Sequence, residues 1–305
     1  MVEHKKQHTV PRCYLNAWVD PETPQGQSPY VHLFDLHGGN PRRKSPAKIL
    51  RMPDLYTVFR GGERDLRIEH VFSQWEGDFV RVRGIFEAGK LGTGDNAADL
   101  YAFVGAMLAR PPHRIDFMKD QWASIADRMR EVRANLNPAI PPIRSLSSGG
   151  PSMSLAQVQE MADNPMGTWF PDTVATYVET LSTMFGCDVL VNGTPDHLFL
   201  TSDAPAVIHH RPISDSCLSH MPRGLGSPGC EITLPLSPRL ALLFRHKTPG
   251  VHAFIGADWK TVFEVNHRTL TGAQTTIISN KADIFFVRAI TQHIAKYDAE
   301  HSSPT

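Results

Sequence analysis

The residues best suited to chemistry fall on one stretch of the chain. Glu69, Glu76 and Arg83 stand seven positions apart. At about 100° per residue, a helix returns to within roughly 20° of its start after seven residues, so the three share one stripe. That stripe flanks the apolar positions Phe72, Trp75 and Phe79. Carboxylates at the rim of a buried face can meet other elements across a cleft. There, burial and mutual repulsion raise one pKa for acid or base work, or a divalent metal is held by oxygen ligands. The same two glutamates equally suit structural ion pairs, one with Arg83 itself. His8, in an extended segment before Pro11, offers a base, a metal ligand or a donor to phosphate, or else a hydrogen bond that anchors the N-terminal segment. Asp203 emerges at a strand end, where sites are commonly built, although Ser202 and Asp203 also suit an Asx turn. Arg110, at a helix C-terminus, complements the helix dipole there. With Arg114 it could instead form a fork-like clamp on phosphate or carboxylate.

Other patterns fail on context. Gly224-Leu225-Gly226-Ser227-Pro228-Gly229 fits G-x-G-x-x-G, but Pro228 intervenes and the strand-like Ile232-Thr233-Leu234 follows, so no helix opens after it. P-loop, nucleophile-elbow and kinase signatures are absent from the sequence. His4 and His8 lack the H-E-x-x-H context of a zinc site, and His209-His210 beside Arg211 reads as a polar loop. Cys13, Cys187, Cys217 and Cys230 lie far apart without a C-x-x-C pair, which favours reduced core thiols over a zinc ribbon or a disulfide framework.

Elements must position these groups. Ile68, Phe72, Trp75, Phe79, Val82 and Phe86 recur every three or four residues, which predicts a helix from about Ile68 to Glu87. Asp95 to Arg110 is apolar on nearly all sides and reads as a buried helix capped by Asp95 and stopped by Pro111 and Pro112. Ile115, Met118, Trp122, Ile125, Met129, Val132 and Leu136 form the seam of a third helix. Another helix is capped by Asp172, carries Val174, Tyr177, Val178, Leu181 and Phe185, and ends at a left-handed Gly186. Strands are expected at Cys187 to Val191, His197 to Thr201, Glu231 to Pro235 and Arg239 to Arg245. A helix around Val265 to Ser279, a strand at Ile284 to Val287 and a helix near Thr291 to Ala299 complete the reading.

Helices first and strands later predict an α+β fold, a helical N-terminal half packed against a mainly antiparallel sheet from the C-terminal half. The expectation is a single domain spanning residues 1–305, with a helical part at about 60–137, an exposed loop at about 137–154 and a strand-rich part at about 187–290. Basic and acidic residues balance at 31 each, which removes the global field that steers nucleic acid or anionic membrane toward strongly basic proteins. Met1 to Val10 does not read as a leader, and no apolar run approaches the roughly 20 residues that span a bilayer. A cytoplasmic protein without membrane contact is expected.

The run His8-Thr9-Val10-Pro11-Arg12-Cys13-Tyr14-Leu15 resembles the opening H-x-x-P-x-x-Y-L signature of the bacterial domain-of-unknown-function 4238 family, and Asp54-Leu55-Tyr56-Thr57 is similar to a later step of it. Ile68-Glu69 with Glu76 resembles its two-glutamate helix, and Arg110-Pro111-Pro112-His113-Arg114 an R-x-P-x-x-R-like segment. Leu200-Thr201-Ser202-Asp203-Ala204-Pro205 resembles a T-S-D-N-P step with Ala204 in place of asparagine. Pro235-Leu236-Ser237-Pro238 and Asn266 with Ala273 complete the set. The resemblance implies a bacterial intracellular protein and carries no activity. Two functional readings stand. In the first, a metal-assisted hydrolase acts on a phosphodiester or nucleotide. His8, Glu69, Glu76 and Asp203 are then its catalytic or ligand groups, Arg110 and Arg114 bind substrate, and a divalent metal is the cofactor. In the second, a non-catalytic binding or interaction protein uses the same residues structurally, and the loop from Asn137 to Ser154 meets a partner.

Overall fold

A computed structural model describes residues 6–36, 40–60, 63–135, 153–194, 197–211 and 223–282. The chain opens with β1 (Lys6–His8), a short α1 (Arg12–Leu15), β2 (Val31–Asp35), β3 (Arg42–Lys44), β4 (Arg51–Pro53), β5 (Val58–Arg60) and β6 (Glu63–Asp65). Five helices follow: α2 (Arg67–Glu87), α3 (Gly94–Ala109), α4 (Pro112–Asn135), α5 (Leu155–Asp163) and α6 (Phe170–Met184). Then come β7 (Phe185–Asn192), β8 (Thr201–Ser202), β9 (Val207–His210), β10 (Cys230–Pro235), β11 (Leu240–His246), β12 (Gly250–Ala257), α7 (Trp259–Gly272) and β13 (Thr276–Ser279).

The helices form where the apolar period requires. α2 buries Phe72, Phe79, Val82 and Phe86 on one face, four of the six periodic positions read from the sequence, while Ile68 and Trp75 are half-buried. α3 is buried on almost every side. Its N-terminus is capped by Thr93 and Asn96 in a reciprocal capping box, so Asp95 sits inside the first turn instead of capping it. The proline pair ends α3 at Ala109 and lets α4 begin at Pro112, because the first helical position needs no backbone N–H. The seam expected along α4 is buried at Ile115, whereas Ile125 and Val132 are exposed. α6 starts at Phe170, two residues before Asp172, and runs directly into β7. Gly186 is therefore an extended strand residue, not a left-handed stop. An added Cβ there would lie 2.5 Å from the Thr248 carbonyl oxygen.

The strands build a five-stranded sheet in the order β12-β7-β11-β10-β9, antiparallel except for the parallel β12–β7 pair. A four-stranded antiparallel sheet, β3-β2-β13-β8, joins N-terminal and C-terminal strands. The α+β architecture is as the order of elements predicts. Three further expectations are corrected. The segment read as one helix from Val265 to Ser279 is α7 followed by β13, because Thr276, Ile277, Ile278 and Ser279 pair with Asp35, Phe34, Leu33 and His32. His209 and His210 lie in β9, not in a loop. The run from His197 to Thr201 is strand only at its end, because the Asn266 side chain takes the ladder's place: it accepts from Leu200 N at 2.7 Å and donates to Leu198 O at 2.8 Å. The strand and helix expected beyond Ile284 lie outside the described residues, as does most of the loop from Asn137 to Ser154.

The largest core cluster runs from Val10 through α2, α3 and α6 to Ile278. Two tyrosines tie its parts together. Tyr14 Oη lies 2.6 Å from both Thr201 Oγ1 and the Pro235 carbonyl oxygen. Tyr101 Oη donates to Phe185 O at 2.8 Å and accepts from Gly250 N at 2.7 Å, which links α3 to both strands of the parallel pair.

Candidate functional site

The stripe on α2 lies along the N-terminal segment. Gln7 Nε2 donates to Glu69 Oε2 at 3.0 Å, while Gln7 Oε1 accepts from Tyr56 N at 2.6 Å. About two and four turns further on, the Cys13 thiol approaches the Glu76 carbonyl and Arg83 Nη1 donates to Cys13 O at 3.1 Å. β1 alternates: Gln7 turns inward, whereas His8 faces its cross-strand partner Arg51 in the β1–β4 ribbon. The His8 imidazole is held below its ordinary pKa by burial first and then by the charge of Arg51, with Arg12 and Arg110 acting the same way and a hydrogen bond to the Pro46 carbonyl opposing them. Burial next to Glu76 pushes the Cys13 thiol up to about 11, so it stays protonated.

Glu76 meets Arg110. Arg110 Nη2 lies 2.8 Å from Glu76 Oε1. Its guanidinium stacks over Phe72, with Cζ 4.0 Å from the ring centroid, and 5.7 Å from that of Tyr56. At the α3–α4 corner this side chain is only 2 % exposed, whereas Glu76 is 28 % exposed. Arg114 turns elsewhere: its Nη1 reaches Tyr177 Oη on α6 at 3.5 Å. The expected clamp of Arg110 with Arg114 therefore has its two guanidinium groups on different partners.

Asp203 fastens a turn. Its carboxylate accepts from Gln274 N at 2.9 Å, and from Thr275 N and Thr275 Oγ1 at 2.8 Å each. It shares the wall of a cleft of about 330 Å³ with Thr9, Leu50, Arg51 and His113. Leu50 in this wall is left-handed, φ 49°, a conformation costly for a side chain with a Cβ. Its carbonyl is held by Thr9 N at 2.8 Å and Thr9 Oγ1 at 3.1 Å. His113 is kept below its ordinary pKa by burial and then by Arg114, against the opposing charges of Asp203 and Asp116. Neither His8 Nε2 nor His113 Nδ1, both buried, has a hydrogen-bond partner among the described residues. The structure thus links Glu76, Arg110 and the N-terminal segment, and gathers Asp203, His113 and Arg51 in one cleft. Among the described residues, no group of three or more His, Cys, Asp and Glu side chains is arranged to hold a metal ion.

A larger concavity was not foreseen. Between α2 and α6 lies a cleft of about 760 Å³, walled by Ile68, Val71, Phe72, Trp75, Phe170 and Val174, with Asp65, Arg67 and Glu179 as its charged lining groups. Arg67 is committed to Asp65: Nε donates to both carboxylate oxygens at 2.9 and 3.0 Å, and Nη2 to Oδ2 at 2.6 Å. Two carboxylates against one guanidinium leave the lining with one negative charge, carried by Glu179. Each helix showed its apolar face in the sequence. What the sequence did not show is that the faces stand apart here, with Val71 at 42 % exposure.

The protein is an α+β chain in which the N-terminal segment is laid along a long helix beside two sheets. Residues 6–283 match the family described as "Protein of unknown function (DUF4238)", and the chain belongs to that family. No curated protein and no solved structure matches it. No described helix is long and apolar enough to cross a membrane.

Proposed function

We propose that this protein is a binding protein whose ligand is a small amphipathic cation held in the cleft between α2 and α6. The observation that carries this reading is the cleft itself. Its volume, about 760 Å³, and its mainly aliphatic and aromatic wall match the ordinary dimensions and chemistry of small-molecule sites. The net negative lining favours a positive end group beside Glu179, with the apolar body against Val71, Trp75 and Val174. Decyltrimethylammonium, below its micelle concentration, is a suitable probe by titration calorimetry. Saturable binding is expected. Ala175→Trp, on an exposed part of the wall, is expected to weaken it at least tenfold at unchanged Tm, and Glu179→Gln to reduce it to the level of neutral decyl maltoside. Absence of saturation, or an Ala175→Trp variant that binds as well as the parent, removes the reading.

A second reading, a hydrolase acting on a phosphodiester or nucleotide, is favoured by the cleft that Asp203 and His113 line. The support is the His113 imidazole in its wall, with His8 one residue before Thr9 of that wall, each held below its ordinary pKa and with an unpartnered ring nitrogen among the described residues, as suits a general base. The reading draws on these imidazoles and on the carboxylates of Glu69, Glu76 and Asp203, with a divalent metal as the cofactor. Hydrolysis of bis(4-nitrophenyl) phosphate tests it. His113→Asn should abolish turnover, and unchanged cleavage in both His113→Asn and Glu76→Gln would sink this assignment.

A further inference from the structure

A second polar cavity, in a part of the fold that neither reading uses, lies between the five-stranded sheet and α7. Alternation along β10 puts Glu231 and Thr233 on one face, and the antiparallel register sets Arg245 opposite Glu231 and Leu243 opposite Thr233. Above them, Thr261, Glu264, Val265 and Arg268 form one stripe of α7, spaced by three and four residues. Arg211, just past β9, completes a cavity of about 170 Å³.

The donors in this cavity outnumber the acceptors. Glu231 Oε1 accepts from Arg245 Nε and Arg211 Nη2, and Oε2 from Arg268 Nη2, each at 2.8 Å. Glu264 pairs with the same Arg268 nitrogen. Three guanidiniums thus face two carboxylates, leaving one positive charge in the lining. Arg268 is 4 % exposed and Thr233 is fully buried. Even so, Arg268 Nε, Arg268 Nη1 and Thr233 Oγ1 have no hydrogen-bond partner among the described residues. Buried donors left unpaired in this way are costly and call for an acceptor. Water supplies acceptors but no charge. The volume, about 170 Å³, admits a tetrahedral oxyanion with water beside it. The donors arrive from the sheet, the helix and the sheet edge, so they suit three oxygens in three dimensions better than a planar carboxylate.

We propose that the Arg211–Arg245–Arg268 cavity binds a phosphoryl oxyanion, either inorganic phosphate or the phosphoryl end of a larger molecule. Glu231 serves there as the post that spreads and orients the three guanidinium groups, a role distinct from contact with the ligand. Arginine suits this task because its fork of donors matches phosphoryl oxygens.

The test is thermal unfolding and titration calorimetry of the full chain with inorganic phosphate, against chloride at matched ionic strength. A saturable rise in Tm is expected with phosphate only. Arg245→Met, which leaves the Glu231–Arg268 pair intact, should lower the affinity at least tenfold, and Thr233→Val by about threefold. Should Arg245→Met fail to fold, Arg211→Met replaces it, since that side chain is 55 % exposed. Phenyl phosphate binding as tightly as phosphate points to the end of a larger molecule, and phosphate alone to the free ion. A response no greater than that of chloride, or equal phosphate binding in the parent and the arginine variant, overturns the proposal.

Discussion

At the scale of the residue, burial decides what a charge does. Glu76 and Arg110 form one pair, but their surroundings differ: the guanidinium is sealed against Phe72 and Tyr56, with Nε and Nη1 unpaired among the described residues, while the carboxylate is open to water on one side. Removing the partner of a sealed charge is far worse than removing the sealed charge itself. Glu76→Leu is therefore expected to destabilise by about 3 kcal/mol, and Arg110→Met, which keeps the apolar contact and lets Glu76 rehydrate, by about 1 kcal/mol or less. Urea unfolding of the two variants measures the difference. Equal losses would mean that the pair is solvated as a unit.

At the scale of the element, helix propensity and packing make opposite demands on glycine. Gly77 and Gly84 in α2 have open space where a Cβ would stand, whereas one added at Gly105 in α3 would lie 2.6 Å from Val178 Cγ2 and 3.1 Å from the Val178 backbone nitrogen. Glycine in a helix interior is worth about 1 kcal/mol less than alanine. Gly77→Ala and Gly84→Ala should each stabilise by up to about 1 kcal/mol. Gly105→Ala should destabilise by about 1–3 kcal/mol, because a core that is already close-packed must part. Chemical denaturation of the three variants gives the signs. A stabilising Gly105→Ala would mean that α3 and α6 are not held at this distance.

At the scale of the whole molecule, buried histidines couple the fold to pH. His8, His113 and His209 are each held below the ordinary 6.5, burial being the largest cause in every case. The unfolded chain takes up protons near pH 6.5 where the native one resists them, so stability rises with pH through this range. The contribution is fully present above about pH 6.5 and is lost as pH falls through the depressed native values. Glu231 adds a separate acid window. Burial pushes its carboxyl up, but the hydrogen bonds of Arg245 and Arg268 and the charges of Arg268 and Arg211 outweigh it and hold the group below the ordinary 4.5. Its stabilisation is lost only below that pH. Tm should fall between pH 7.5 and 5.5, less steeply in His8→Asn and His113→Asn, and again below pH 4.5. A flat profile from 7.5 to 5.5 contradicts the burial of these rings.

Local signals made much of this legible. The apolar period of α2, the proline pair between α3 and α4, and the ordered family blocks from His8 onward depend on side-chain spacing, proline chemistry and residue identity, all of which the linear chain carries. The stripe of Glu69, Glu76 and Arg83 was legible for the same reason. Its partners were not, because Gln7, Arg110 and Cys13 reach it only through long-range packing of the N-terminal segment on α2. The strand nature of Thr276 to Ser279 came from pairing with β2, more than two hundred residues earlier in the chain, which no local propensity encodes. The arginines around Glu231 come from β11, α7 and the end of β9, so no spacing announces them. The sequence by itself determined the helices α2, α3 and α4, the order of helices and strands, the family and the chemical alphabet. The tertiary structure alone decided which charges are buried, which are paired, and where two apolar faces stand apart to leave a cleft, since these depend on contacts between residues that the chain does not place side by side.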